Sequence, residues 1–231
     1  MIILVGVGHV FDIGQQVRRI IHEHMPQAVG LELDRNRFLG LQARARGEAK
    51  ATGFAARFQE RIASQFGVQA GDEMLAAAKA AGDINAGIVL IDRDMNQVLA
   101  ELRRRMTLKE KVKMVLALFS MPFVRKKTVE REIQKYEEAS DEYLEQIGED
   151  FPTIKKVLLE ERNRHMAKAL RELETKFDPV LAVIGDGHIN GIAVLLDDRE
   201  PKVIRLAEVR EWEVKEENGA ASASFSVNVQ G

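Results

Sequence analysis

The chain contains no cysteine. That absence removes disulfides, thiolate zinc sites and a cysteine nucleophile, and it fits a reducing interior. An excess of one charge is also lacking: 34 Lys and Arg stand against 36 Asp and Glu, a formal net charge of −2. A nucleic-acid footprint needs a basic stripe, so no nucleic-acid partner is expected. Long apolar runs are missing too. The most apolar later stretch, Met114 to Val124, falls well short of the ~20 residues that cross a bilayer. Met1 is followed at once by Ile2-Ile3-Leu4-Val5, with no basic start and no small-residue cleavage site, so no signal peptide is expected. These absences predict a cytoplasmic protein with no membrane span in this chain, membrane-associated only as part of a longer one.

What is present is ordinary for a globular domain. The 231 residues are 45% hydrophobic and 30% charged, enough to bury a core within one domain over 1–231. Ile2 to Val5 is a continuous apolar run, the pattern of a strand buried on both faces. Val17, Ile20, Ile21 and His24 follow at helical spacing until Pro26. Ala28 to Leu33 forms a second strand around Glu32 and leads to Asp34. Residues 35–83 read as alanine-rich helix, broken near Gly67 and Gly71. Gly87 to Ile91 is a third strand, with Asp92 as N-cap of a helix carrying Val98, Leu99 and Leu102. Residues 107–177 form an all-helical insertion with breaks at Met121-Pro122 and Phe151-Pro152. Pro179 to Ile184 is a fourth strand, followed by a tight Gly185–Gly187 loop and a helix from about Ile189; Val203 to Leu206 is a fifth. At the end, Glu211 to Lys215 and Phe225 to Val229 alternate around Asn218-Gly219, an antiparallel hairpin signature. The fold expected is α/β: a mixed, largely parallel central sheet flanked by helices, with the insertion and hairpin added.

Open parallel sheets bind ligands outside the carboxyl ends of their strands. His9, Glu32 with Asp34, Arg93 with Asp94, and His188 all fall at such ends. Gly6 and Gly185 are expected to supply sharp turns through unusual dihedrals. Gly8 and Gly187 keep the loops bare beside each imidazole. Two imidazoles and a carboxylate make a competent shell for a divalent metal, with Glu32 the carboxylate of choice. Such a metal lowers the pKa of bound water and polarises a carbonyl. Arg162 lies on the apolar stripe of Leu159, Met166, Leu170 and Leu173. A guanidinium there must find partners or a pocket, where it could hold a substrate carboxylate or an oxyanion.

Structural roles account for many of the same residues. Asp34 and Asp94 also suit helix caps, Arg93 and Arg162 suit ion pairs, and His24 suits a packed core position. His22 and His165 suit solvent. Gly185-x-Gly187-x-x-x-Gly191 keeps a nucleotide loop in view, although Phe11 stands where the first loop would need its third glycine. The amphipathic insertion offers Met114, Val115, Leu118 and Phe119 as a homodimer face.

Several separated motifs occur in one order: Val5-Gly6-x-x-His9-Val10; Val29-Gly30-Leu31-Glu32-Leu33-Asp34 with Arg37; Ile91-Asp92-Arg93-Asp94; Glu161-Arg162-Asn163 with Met166; and Gly185-x-Gly187-His188 with Gly191-Ile192. In this the chain resembles the TraB family, the TraB/PrgY pheromone-shutdown group. The wider superfamily is similar to the TIKI proteases, erythromycin esterases and ChaN haem-binding proteins. The resemblance implies a central sheet whose paired Gly-x-x-His loops form one site and, by analogy with TIKI-like members, metal-dependent peptide hydrolysis. His9, His188 and Glu32 would hold manganese, cobalt or zinc. Glu32 or Asp94 would act as base, Arg162 and Arg93 as polar support, and Asp34, Arg37 and Asn163 as substrate contacts. A non-catalytic peptide-binding regulator and, behind it, a nucleotide-binding protein are the alternatives.

Overall fold

The computed structural model describes residues 1–8, 12–48, 71–120 and 148–212, with the backbone alone for 116–120. The described residues build a five-stranded sheet in the order β3-β2-β4-β1-β5. The strands are β1 (Ile2–Val7), β2 (Ala28–Leu31), β3 (Gly87–Leu90), β4 (Val180–Gly185) and β5 (Lys202–Ile204). Every pairing is parallel, so nothing antiparallel enters the sheet among these residues. The expected hairpin lies outside them from residue 213 onward, and Glu211, expected in its first strand, instead ends a helix.

All six residues of β1 are buried. Its odd and even positions serve two cores. Ile3 and Val5 join Val29, Leu31, Leu181 and Val183 beneath α1 (Gly14–His24) and α3 (Asp72–Asp83). Ile2 and Leu4 join Ala182 and Ile184 beneath α6 (Glu161–Glu174) and α7 (Asp186–Leu195). Each of the valine, leucine and isoleucine side chains contributes roughly 1.5–3 kcal/mol by leaving water. The remaining helices are α2 (Arg35–Ala45), α4 (Met95–Arg105), α5 (Leu108–Ser120) and α8 (Leu206–Glu211).

The helical reading of the insertion holds where it is described. Phe151 leaves the helical region and Pro152 opens a new turn, Pro152–Ile154. A π-helical stretch, Lys155–Glu160, then runs into α6. Residues 121–147, including the Met121-Pro122 break, lie outside the description. Of the expected partner face, Met114 turns inward against the cluster of Val98, Leu102, Met106 and Val157, while Val115 is exposed. The side chains of Leu118 and Phe119 are outside the description. Glu110 fastens the base of the insertion: its carboxylate accepts the N–H and hydroxyl of both Thr107 and Thr153 at 2.8–2.9 Å. Burial alone would raise its pKa, but these four donors win and hold it at about 2. No helix among the described residues is long and apolar enough to cross a membrane.

Two expectations about the glycines change. Gly185 has ordinary extended dihedrals (φ −57°, ψ 134°), and the chain passes straight into α7 at Asp186 instead of making a loop through Gly187. What demands glycine is space. A Cβ on Gly185 would stand 3.2 Å from Glu32 Oε2, and one on Gly6 would overlap the Asp186 carboxylate.

Candidate functional site

Three strand ends and two helix starts converge at the carboxyl edge of the sheet. Glu32 follows β2, Asp92 follows β3, and His188 lies in the first turn of α7. Arg162 and Asn163 lie in the first turn of α6, directly after the π-helical stretch. Such local unwinding recurs at functional sites. All five side chains are buried.

Arg162 organises the cluster. Its Nε donates to Asp92 Oδ1 at 3.0 Å, and its Nη2 donates to Asp92 Oδ2 at 2.7 Å and to Glu32 Oε1. Its Nη1 donates to Leu158 O and faces His188 Nε2, both at 3.1 Å. A guanidinium has five N–H donors, and these five acceptors occupy them all. The oxyanion or substrate-carboxylate role expected for Arg162 therefore has no donor left in this arrangement. Burial disfavours the charged guanidinium, yet Asp92 and Glu32 outweigh it and raise the pKa further.

His188 is held in a defined state. Its Nδ1 lies 2.5 Å from Asn163 Oδ1. With the amide oxygen facing the ring, Nδ1 carries the proton, and Nε2 presents a lone pair to the guanidinium. Gly191 makes this possible, because a Cβ there would overlap Asn163 Nδ2. Glu32 is fixed from its other side by the Gly185 N–H, 2.6 Å from Oε2. That N–H would face phosphate in a nucleotide loop; here the Glu32 carboxylate takes it, and buried Asp186 beside it is paired with Arg205.

Arg37 closes the cluster from α2. It donates to Asp34 Oδ2 at 2.7 Å, to Asp92 Oδ2 at 2.5 Å and to the Glu32 carbonyl at 3.3 Å. Asp34 caps α2 and also accepts the Met95 N–H at 3.2 Å. Burial pushes its pKa up, but the Arg37 and Met95 donors bring it below the usual value. Glu32, Asp34 and Asp92 thus meet Arg37 and Arg162. With His188 neutral, three carboxylates against two guanidiniums leave one negative charge.

The structure does not bring Arg93 and Asp94 to this centre. Asp94 caps α4 through the N–H groups of Asn96 and Gln97, the structural role its position also suited, whereas Asp92, read as the cap of the same helix, does not cap it. Arg93 pairs with Glu101 and Glu161. Asp92 is the site residue that the sequence reading missed. The signal was available: Asp94 with Gln97 three residues later fits a capping box, and that assignment frees Asp92. His9 and its neighbours 10 and 11 lie outside the described residues. Val7 pairs with Gly185, so the chain leaves β1 beside the start of α7. Of the other imidazoles, His22 and His165 are exposed. His24 is half-buried, tilted against Trp212 at 6.3 Å.

A metal tests the cluster by spacing and by chemistry. His188 Nε2 and Glu32 Oε1 lie 3.4 Å apart. Two ligands each ~2.1 Å from a tetrahedral zinc would be separated by about that distance. The neutral imidazole with Nδ1 satisfied is the form that coordinates. These two donors fit a divalent metal, although among the described residues no group of three His, Asp or Glu is poised to hold one.

A parallel-sheet α/β protein with a buried His–Glu–Arg centre at its carboxyl edge is the class that fold and geometry define. The sequence model of the TraB/PrgY/gumN family matches residues 1–203, and the chain belongs to that family. It is also similar to an uncharacterized protein of Methanocaldococcus jannaschii, 32% identical over 214 residues, covering 86% of this chain and 54% of the relative. The chain thus spans about half the length of the curated relative it matches.

Proposed function

We propose that the chain is a metal-dependent hydrolase acting on a peptide, with His188 Nε2 and Glu32 Oε1 as two ligands and His9 as the third. The observation that carries this reading is the preset donor pair. The Asn163 amide oxygen meets His188 Nδ1, His188 Nε2 lies 3.4 Å from Glu32 Oε1, and three carboxylates face two guanidiniums around the pair. When bound, the metal would supply a water of lowered pKa and a polarised carbonyl. This chain's residues do the rest. Asn163 orients the imidazole, the Gly185 N–H fixes Glu32, and Arg162 pairs with Asp92 and Glu32. The test is metal content by elemental analysis alongside cleavage of a peptide library. His188→Ala and Glu32→Gln should each lose bound metal and cleavage together; retention of both activities in either variant sinks the reading.

A second reading is favoured by one observation. All five Arg162 donors are satisfied without a ligand, as in a purely structural centre. The protein would then bind a peptide without cleaving it, and inhibition would be stoichiometric and survive chelation. A homodimer remains part of either reading. Leu108, Val112 and Val115 recur at helical spacing on α5 and are exposed; sedimentation that finds only monomer at high concentration removes it.

A further inference from the structure

We infer that Arg162 is a built-in counter-cation that competes with the metal for the same two donor atoms; this rests on the metal reading above. Nη1 faces the Nε2 lone pair of His188 at 3.1 Å, and Nη2 donates to Glu32 Oε1. Those are the atoms 3.4 Å apart that a divalent ion would bridge. One lone pair cannot serve both a guanidinium N–H and a metal, so occupancy by one cation expels the other.

The remaining contacts of Arg162 show how it can yield without leaving. Nε and Nη2 grip both oxygens of Asp92, and Nη1 reaches the Leu158 carbonyl. None of these acceptors is a proposed ligand. Asp92 is itself held by Arg37, so the anchor stays in place while the two N–H groups facing His188 and Glu32 are released. Released there, they become the donors that the metal-free arrangement lacks. Arg162 thus has two states: it neutralises the buried carboxylates when no metal is present, and it offers two free N–H groups beside the substrate when one is. The Leu158 carbonyl that accepts from Nη1 lies within the π-helical stretch.

The experiment uses the whole chain, stripped with a chelator and titrated separately with Zn²⁺, Mn²⁺ and Co²⁺. Affinity is read by calorimetry, and melting temperature is read with and without each ion. Arg162→Gln removes the competing charge, and Arg162→Lys keeps a charge without the fork. Both should bind metal more tightly than the native chain, the Gln variant by at least ~10-fold, the equivalent of one lost competing hydrogen bond. Metal should also raise the melting temperature more in the variants than in the native chain. Should the variants fail to fold, the native chain decides: ¹⁵N spectra of the Arg162 side chain must show Nη signals shifting on Zn²⁺ addition while Nε stays with Asp92. Equal or weaker binding in the variants, or Nη signals indifferent to bound metal, overturns the inference and leaves the metal reading standing. No binding by the native chain or any variant overturns both.

Discussion

Two charged clusters sit side by side at the start of α6, and they differ in kind. Arg93, Glu101, Arg105 and Glu161 form a closed ring in which each arginine touches each glutamate. Its members are 19–28% exposed, and its charges cancel. One residue further on, Arg162 enters a cluster with its side chain 8% exposed, where charges do not cancel and an imidazole is present. Two arginines and two glutamates answer one another completely, so the ring braces α4 against α6 and has no chemistry left over. The inner cluster sets three carboxylates against two guanidiniums and includes an imidazole that faces Arg162. Imbalance, more than burial or the number of ion pairs, separates a candidate site from a brace.

Substitutions can break or sharpen that contrast. The largest effect is expected for Arg162→Ala, which strips buried Glu32 of this guanidinium and leaves Asp92 with Arg37 alone; a loss of about 3–5 kcal/mol in urea unfolding is expected. Gly191→Ala comes next. The new Cβ must displace Asn163, at a cost of about 1–3 kcal/mol, and ¹⁵N spectra should show His188 losing its single Nδ1–H tautomer. An unchanged tautomer would mean that Asn163 does not set it. Glu110→Gln should cost roughly 1–3 kcal/mol by disrupting the threonine clamp. Its pH dependence has a definite sign. With a folded pKa of about 2, against an ordinary value of 4.5, Glu110 stabilises fully above pH 4.5 and loses that contribution as pH falls toward 2. The Gln variant should show a shallower loss of stability across that window. Arg93→Ala is expected to do least, about 0.2–1 kcal/mol, with no change in bound metal. A loss of metal from that variant would dissolve the distinction between ring and centre.

The strands were legible because a strand buried on both faces needs an unbroken apolar run, and Ile2 to Val5 supplies one. Strand order was not legible, since nothing in β1 itself states that β4 and β5 flank it. Arg162 could be placed because a charged residue on an apolar stripe must be answered by something. What answers it could not be read, because Asp92 is separated from it by 70 positions in the chain. The glycines were recognised for the wrong reason: the backbone angles at Gly185 are ordinary, and what a side chain there would crowd is the neighbouring Glu32 carboxylate. The π-helical stretch has no sequence signature of its own, so the helix leading to Arg162 read as regular. Met114 was misassigned because α5 is apolar on more than one side, and periodicity cannot say which side meets the body.

The position of β1 in the sheet also sets an order of assembly. Among the described residues β1 pairs with residues 180–185 and 202–204. On the ribosome it must wait, both backbone edges unmatched, while β2 and β3 can already join. Contacts so distant in sequence slow folding. A nascent chain arrested before residue 180 would therefore carry an orphaned apolar strand, the state in which this protein most needs a chaperone.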